Sequence, residues 1–215
     1  MRWPSCRGHR LSFLMQADLR ELAVAVPGQV GAGGHLLVFG DLRERPDGIT
    51  QIELTSGRLH RGGCVQVRRF TGEDLLRRHT PRGTRKLRST PVALRPTLTI
   101  PSTDGAEWLL RRRLPRWEPW DALGSEAAAG ELGTQAPLVA VHQLLGWPSP
   151  IQEDPTIPFR KRRGTLPSRQ LLVQLDYDPE LRFDVGDAGT LYLTIPKADL
   201  RAGRFDRVDG ELQEA

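Results

Sequence analysis

An α+β fold rich in strands and built from two similar halves is predicted for this chain on three grounds. Short apolar runs recur between turn residues, the length and punctuation of strands rather than of long helices. The 215 residues include 22 Gly and 17 Pro, which interrupt the chain too often for extended helical packing. The same order of features also appears near both ends of the sequence.

The elements follow in chain order. Leu11-Ser12-Phe13-Leu14-Met15 is an apolar run ending in Gln16-Ala17-Asp18, and Leu19 to Ala25 has a helical pattern. After the Pro27-Gly28 turn and Gly31, Gly33 and Gly34, His35 to Phe39 reads as a strand closing on Asp41-Leu42. Thr50 to Leu54 and Cys64 to Arg68 alternate as half-buried strands do. Val92-Ala93-Leu94 and Thr97 to Ile100, set off by Pro91, Pro96 and Pro101, predict short or edge strands. Asp104 to Arg113 predicts a helix, with Asp104 as N-cap and Glu107 three residues on. Residues 118–136 are acidic and rich in Ala and Gly, a surface loop or ragged helix, and the Pro-bearing stretch 153–169 is an excursion from the fold. Leu171 to Asp176 and Thr190 to Ile195 are strands around the Gly186-Asp187-Ala188-Gly189 turn, and the second strand leads to Asp199-Leu200.

Both ends therefore share one order. Trp-Pro (Trp3-Pro4, Trp147-Pro148) is followed by an apolar run, Gln-x-Asp (Gln16 and Asp18, Gln174 and Asp176), a glycine turn, an apolar strand and Asp-Leu. Such recurrence reads as a degenerate internal duplication, with two similar sub-structures about a pseudo-twofold relation. It divides a single domain over 1–215 into a first repeat (1–57), a less regular basic connecting segment (58–137) and a second repeat (138–215).

Charge offers a second reading. The chain has 31 basic and 26 acidic residues, a net charge of +5, and all but Lys86, Lys161 and Lys197 of the bases are Arg. Residues 58–120 carry 15 bases against 5 acids, Arg160-Lys161-Arg162-Arg163 forms a second cluster with Arg169 close behind, and residues 170–215 hold ten acids against five bases. An Arg-lined surface attracts polyanions, so RNA or DNA contact through 58–120 is one candidate role. No aromatic residue interleaves with the bases of 77–95 to stack on nucleotides. Heavy use of Arg over Lys, together with abundant Gly and Pro, fits a compositional bias equally well, which makes this the weaker reading. No apolar run approaches the ~20 residues of a membrane span, and no charged-then-apolar leader opens the chain. The expectation is a cytoplasmic protein with no membrane contact.

Candidate site residues are weighed against plainer roles. Cys6, His9, His60 and Cys64 are ligand types for zinc, but their order is not that of a finger module, and ordinary loop residues are the plainer reading. Two cysteines without an export signal are expected as reduced thiols. Asp176, Asp178, Asp184 and Asp187 could serve a hard metal or an acid/base pair, yet they lack the calcium-loop order, and Asp187 between glycines fits a turn cap better. Gln16 and Gln174 end apolar runs, where a buried amide needs partners on neighbouring strands. The two Trp-Pro pairs could line a groove for an extended peptide or plug corners of the core. His142 has no Ser or Cys nucleophile motif beside it, and no phosphate-binding glycine loop occurs.

The stretch His142-Gln143-Leu144-Leu145-Gly146-Trp147-Pro148-Ser149-Pro150-Ile151-Gln152 resembles a signature of the YwqG-like family, also called DUF1963. Leu171 to Asp176, Gly186 to Tyr192, and Phe13-Leu14-Met15-Gln16-Ala17-Asp18-Leu19 resemble its other motifs, so the likeness spans most of the chain and is weakest over 60–130. The family's usual Gly- and Pro-rich segment before the first Trp-Pro has no counterpart here. The resemblance implies a β-rich α+β fold in bacterial cytosolic proteins, without an established activity or cofactor. Its motif positions Trp3, Gln16, Asp18, His142, Trp147, Gln152, Gln174, Asp176 and Asp187 are the candidate binding residues. A fainter likeness, Cys-x-x-His ahead of Phe-Leu-x-Gln, is to chaperones that escort ribosomal proteins. The functional expectation is a non-catalytic protein-binding module, chaperone-like or toxin-neutralising. The alternative is a metal-dependent or hydrolytic enzyme using the C-terminal carboxylates.

Overall fold

A computed structural model describes residues 2–31, 33–44, 50–52, 64–72, 79–102, 142–157, 168–181, 183–184 and 188–214. The chain opens with a small hairpin, β1 (Ser5–Cys6) and β2 (His9–Arg10). Arg7 and Gly8 both take positive φ at its tip (47° and 83°), the conformation that lets a two-residue turn follow the right-handed strand twist.

β3 (Ser12–Asp18) runs directly into α1 (Leu19–Ala25). The switch occurs where Asp18 accepts from the Arg20 backbone N–H at 2.8 Å and caps the helix. Its carboxylate also pairs with the Arg20 guanidinium at 2.8 Å. That side-chain bond, followed by the Arg20 N–H, lowers the Asp18 pKa. Asp18→Ala is expected to cost about 1 kcal/mol at neutral pH, as for other lost caps. Because the folded-state pKa is lowered, the contribution is present above the ordinary carboxylate range and fades as pH falls through the lowered value. Urea unfolding at pH 7 and pH 3 checks this: a wild-type advantage that persists undiminished at the lower pH contradicts it.

β4 (His35–Gly40) returns antiparallel to β3 and pairs on its other side with β7 (Val65–Phe70), giving the order β3-β4-β7. β5 (Leu42–Glu44) and β6 (Thr50–Ile52) form a separate pair. The second large sheet has the order β11-β10-β9-β8, all antiparallel, from β8 (Gln143–Leu144), β9 (Arg169–Leu175), β10 (Thr190–Pro196) and β11 (Asp209–Gln213). A short helix, α2 (Lys197–Arg201), leaves β10 as α1 leaves β3.

Strand alternation decides what is buried. Leu36 and Val38 of β4 join Val67, Val173, Leu191, Leu193 and Ile195, with Leu19 and Leu22 of α1 and Leu200 of α2, in one core shared by both sheets. Leu37 and Phe39 face the other way and are covered by Trp3, Leu11, Phe13, Phe70 and the two cysteines. The first sheet is thus buried on both faces, the outer one by the N-terminal hairpin. Trp3 plugs this layer: its indole N–H donates to the Leu11 carbonyl at 2.7 Å and its ring meets Phe39 edge-on at 5.5 Å.

Several expectations are corrected. Cys6 and Cys64 are joined in a disulfide with Cα atoms 5.3 Å apart, not reduced thiols, because the hairpin lies on the sheet beside the start of β7. Residues 92–94 and 97–100 are not in strands; prolines at 91, 96 and 101 deny the ladder its donors on either side. The strand expected over 50–54 is described for 50–52, and the helix over 104–113 lies outside the described residues. The two Gln-x-Asp runs are not equivalent in structure, since a helix follows Asp18 directly whereas no helix is described between β9 and β10. Both β3–α1–β4 and β10–α2–β11 run strand, helix, strand. Each carries Ala-Asp-Leu-Arg, at 17–20 across the β3–α1 junction and at 198–201 within α2.

The structure is therefore β-rich, with two helices among the described residues. No helix there is long and apolar enough to cross a membrane.

Candidate functional site

Most of the motif residues converge on the outer face of the second sheet. Along β10, Leu191, Leu193 and Ile195 enter the shared core, so Thr190, Tyr192 and Thr194 present a polar face on the opposite side. Gln174 of β9 sits across from Tyr192 in the ladder, and Gln213 of β11 across from Thr190. All five are buried; residues 147–154 bind Gln174, Tyr192 and Gln213 as a strap, while Thr190 bonds to Asp176 and Thr194 to Arg169.

The strap is held through its own backbone. The Ser149 N–H donates to Gln174 Oε1 at 3.1 Å, while the Ser149 carbonyl accepts from the Tyr192 hydroxyl at 2.7 Å. The Gln152 N–H donates to Gln213 Oε1 at 2.9 Å, and Gln213 Nε2 returns a bond to the Glu153 carbonyl. The Gln152 side chain donates to the Glu214 carbonyl at 3.1 Å. Upstream, Gln143 Nε2 donates to the carbonyls of Leu145 and Trp147, and the Trp147 N–H donates to Thr99 Oγ1 at 2.9 Å. Downstream, buried Asp154 accepts from the Thr156 N–H and hydroxyl and from Ser102 Oγ. Buried amides are satisfied here by an extended segment rather than by one another.

Tyr192 is 0 % exposed, and its burial raises the phenol pKa to about 12. A raised pKa means that the protonated form is the one folded into the sheet. Its contribution is complete below pH 10 and drains away between pH 10 and pH 12. Alkaline unfolding followed by circular dichroism is therefore expected to begin in that window. Tyr192→Phe loses the bond to Ser149, costing about 1 kcal/mol at pH 7, and flattens the alkaline limb. An unchanged limb in that variant rules the assignment out.

His142 marks one end of this face. Its Nδ1 accepts from the Asp176 backbone N–H at 3.2 Å, so the ring carries its hydrogen on Nε2, which meets Asp178 Oδ2 at 3.1 Å. Both nitrogens are engaged, which leaves no ring lone pair in this arrangement to take a proton from a substrate. Asp178 closes a turn: it accepts from the Leu181 N–H at 2.9 Å and pairs through its backbone with Phe183. Burial works to raise its pKa, but the Leu181 N–H and His142 together bring it below its ordinary value. Asp176 Oδ1 accepts from the Tyr177 N–H at 2.9 Å and from the Thr190 hydroxyl at 2.6 Å. These carboxylates organise turns and strand ends.

The remaining candidates fall elsewhere. Gln16 is exposed, not the buried amide expected, whereas its counterpart Gln174 is covered by the strap through Ser149. Asp18 caps α1, and Trp3 belongs to the N-terminal layer. His9 is exposed on β2 across from Cys6, and the disulfide removes both thiols from any ligand set in this state. His60 and Asp187 lie outside the described residues, as does the 160–163 basic cluster. Among the described residues no group of three or more His, Cys, Asp or Glu could hold a metal ion. Arg169 is an internal tie: it donates to Thr194 and to the Arg207 carbonyl and pairs with Asp209 at 3.0 Å. Burial lowers its pKa, and Asp209 opposes that shift.

Tyr192, Gln213, Gln143 and Ser149 were not singled out by sequence reasoning. A signal for Tyr192 was present, since Thr190-Leu191-Tyr192-Leu193-Thr194-Ile195 alternates two-faced residues with aliphatic ones.

A second feature adjoins the strap. Residues 79–102 form an arm fixed at both ends, which turns at 82–84 and then runs without a turn or bend from 85 to 102. The Arg85 N–H donates to Ser12 Oγ at 3.1 Å and Leu87 packs on the core, while Thr99 and Ser102 bind the strap. Between these anchors Val92 (70 %), Leu94 (41 %), Leu98 (92 %) and Ile100 (38 %) are exposed.

The profile of a family described as Domain of unknown function (DUF1963) matches residues 1–213 of the chain. No curated protein matches it.

Proposed function

We propose, for a chain that belongs to the DUF1963 family, that it is a non-catalytic protein-binding module acting in a chaperone-like or toxin-neutralising role. The observation that carries this reading is the anchored arm, whose large apolar side chains face solvent together. Clustered apolar exposure marks interaction surfaces, and here it sits on a segment held in place at both ends. The engagement of both His142 nitrogens, and of the carboxylates around it, supports a role without chemistry.

We further propose that the two halves descend from a duplication in the β3–α1–β4 and β10–α2–β11 register. Gly31 supports it: its N–H donates to the Leu200 carbonyl at 3.2 Å, and a Cβ there would lie 2.9 Å from the Gly203 nitrogen, so the two return turns meet. A bacterial cytoplasmic setting follows from the family resemblance. The disulfide weighs against it, since such bonds persist where thiols are not kept reduced.

Affinity purification of the tagged full chain from its native host, at native abundance, tests the binding role. A stoichiometric protein partner is expected, and recovery of the chain alone overturns the reading.

A further inference from the structure

We propose that the arm's middle, residues 88–100, binds an acidic extended segment of a partner protein by lying alongside it as a strand. This rests on the protein-binding reading and names the chemistry of the partner.

Three observations converge. First, Val92, Leu94, Pro96, Leu98 and Ile100 are exposed and occupy every second position of a stretch without turns or bends, so pairing as a strand would set them along one side as an apolar stripe. At Thr99 the alternation turns inward, where its hydroxyl accepts from the Trp147 N–H. Second, Val92, Ala93, Leu94 and Leu98 make no hydrogen bond among the described residues. Their backbone groups are therefore open to an incoming chain, the main-chain currency of strand addition. Pro91, Pro96 and Pro101 hold the arm extended and remove the donors that would let it join its own sheets.

Third, residues 79–102 carry Arg82, Arg85, Lys86, Arg88 and Arg95 and no acidic residue. Arg88 and Arg95 bracket the Val92–Leu94 portion of the stripe and are exposed. In that register Arg95 falls opposite the stripe and Arg88 at its end, so a complementary segment alternates apolar residues with carboxylates that reach the guanidiniums. Nucleic acid fits less well because the arm has no aromatic side chain on which a base could stack.

A fluorescein-labelled decapeptide of alternating Glu and Val is the probe, with alternating Lys and Val as its counterpart. Binding is followed by fluorescence anisotropy on the full chain. The Glu–Val peptide is expected to bind at least tenfold more tightly than the Lys–Val peptide, and to weaken as salt rises from 50 to 300 mM, on the order of a few Debye-screened contacts. Leu98→Glu, at a site exposed enough to leave the fold intact, is expected to weaken binding at least tenfold. Arg88→Glu with Arg95→Glu is expected to reverse the preference between peptides. Val24→Glu, on the exposed side of α1 and 81 % exposed, is expected to leave binding unchanged.

Equal binding of both peptides, or equal binding by Leu98→Glu, overturns the proposal. So does tighter association with phosphatidylglycerol vesicles or single-stranded RNA than with the Glu–Val peptide. Repeating the native-host purification with Leu98→Glu separates the two levels. A partner recovered equally by wild type and variant overturns the arm's role while the binding reading stands. A chain recovered alone in both cases overturns the binding reading itself.

Discussion

Reduction of the Cys6–Cys64 bond is expected to lower the stability of the protein by about 2–4 kcal/mol. The two cysteines are 58 residues apart in sequence, and closing a loop of that length removes roughly 4 kcal/mol of denatured-chain entropy in the polymer model. Residual structure in the reduced chain brings the expected value below that limit. The effect is also local. The disulfide ties the Ser5–Arg10 hairpin to the start of β7, and the hairpin is what covers Leu37 and Phe39. Urea unfolding with and without dithiothreitol reads the global loss, and hydrogen exchange of residues 35–40 reads the uncovering of the outer face. A Cys6→Ala, Cys64→Ala variant controls for the reagent, since its midpoint must not respond to reductant. A wild-type midpoint that ignores dithiothreitol, with the bond shown to be reduced, overturns the structural role of the disulfide.

Gly34→Ala is expected to destabilise the fold by about 3 kcal/mol or more, with Gly33→Ala as the internal comparison. Both glycines have positive φ (91° and 81°), so alanine pays a similar conformational penalty at either position, about 1 kcal/mol. Only at Gly34 does a side chain also collide. A Cβ there collides with the Phe70 carbonyl oxygen, which is backbone and cannot swing aside, whereas a Cβ on Gly33 meets nothing within 4 Å. Gly34 also supplies the carbonyl that accepts from the Leu19 N–H at 2.9 Å, tying the first turn of α1 to the start of β4. The difference between the two variants isolates the close approach of β4 and β7 from backbone strain. Equal midpoints in urea contradict the contact.

Legibility in the sequence followed local pattern. The apolar runs at Leu11–Met15, His35–Phe39, Leu171–Leu175 and Thr190–Ile195 all became strands, and Leu19–Ala25 became a helix, because each carries its own periodicity and turn signals. β11 was missed: Asp209-Gly210-Glu211-Leu212-Gln213 has low strand propensity and is held by its pairing with β10. The Thr97–Ile100 run shows the converse, a strand-like composition that forms no strand among the described residues. In the site, Gln174 was recognisable as a buried amide, and its partner was not, since Ser149 lies 25 residues away and binds through backbone atoms that every residue has.

From the sequence alone come the β-rich class, the family resemblance and most of the strands, all properties that neighbouring residues encode together. Tertiary structure decided the remainder. It paired Cys6 with Cys64, buried Gln174 while leaving Gln16 in solvent, engaged both nitrogens of His142, and set Val92, Leu94, Leu98 and Ile100 in the open. Each of these depends on which distant segment lies against a residue, and burial, hydrogen-bond partners and exposure are relations across space that local composition does not specify.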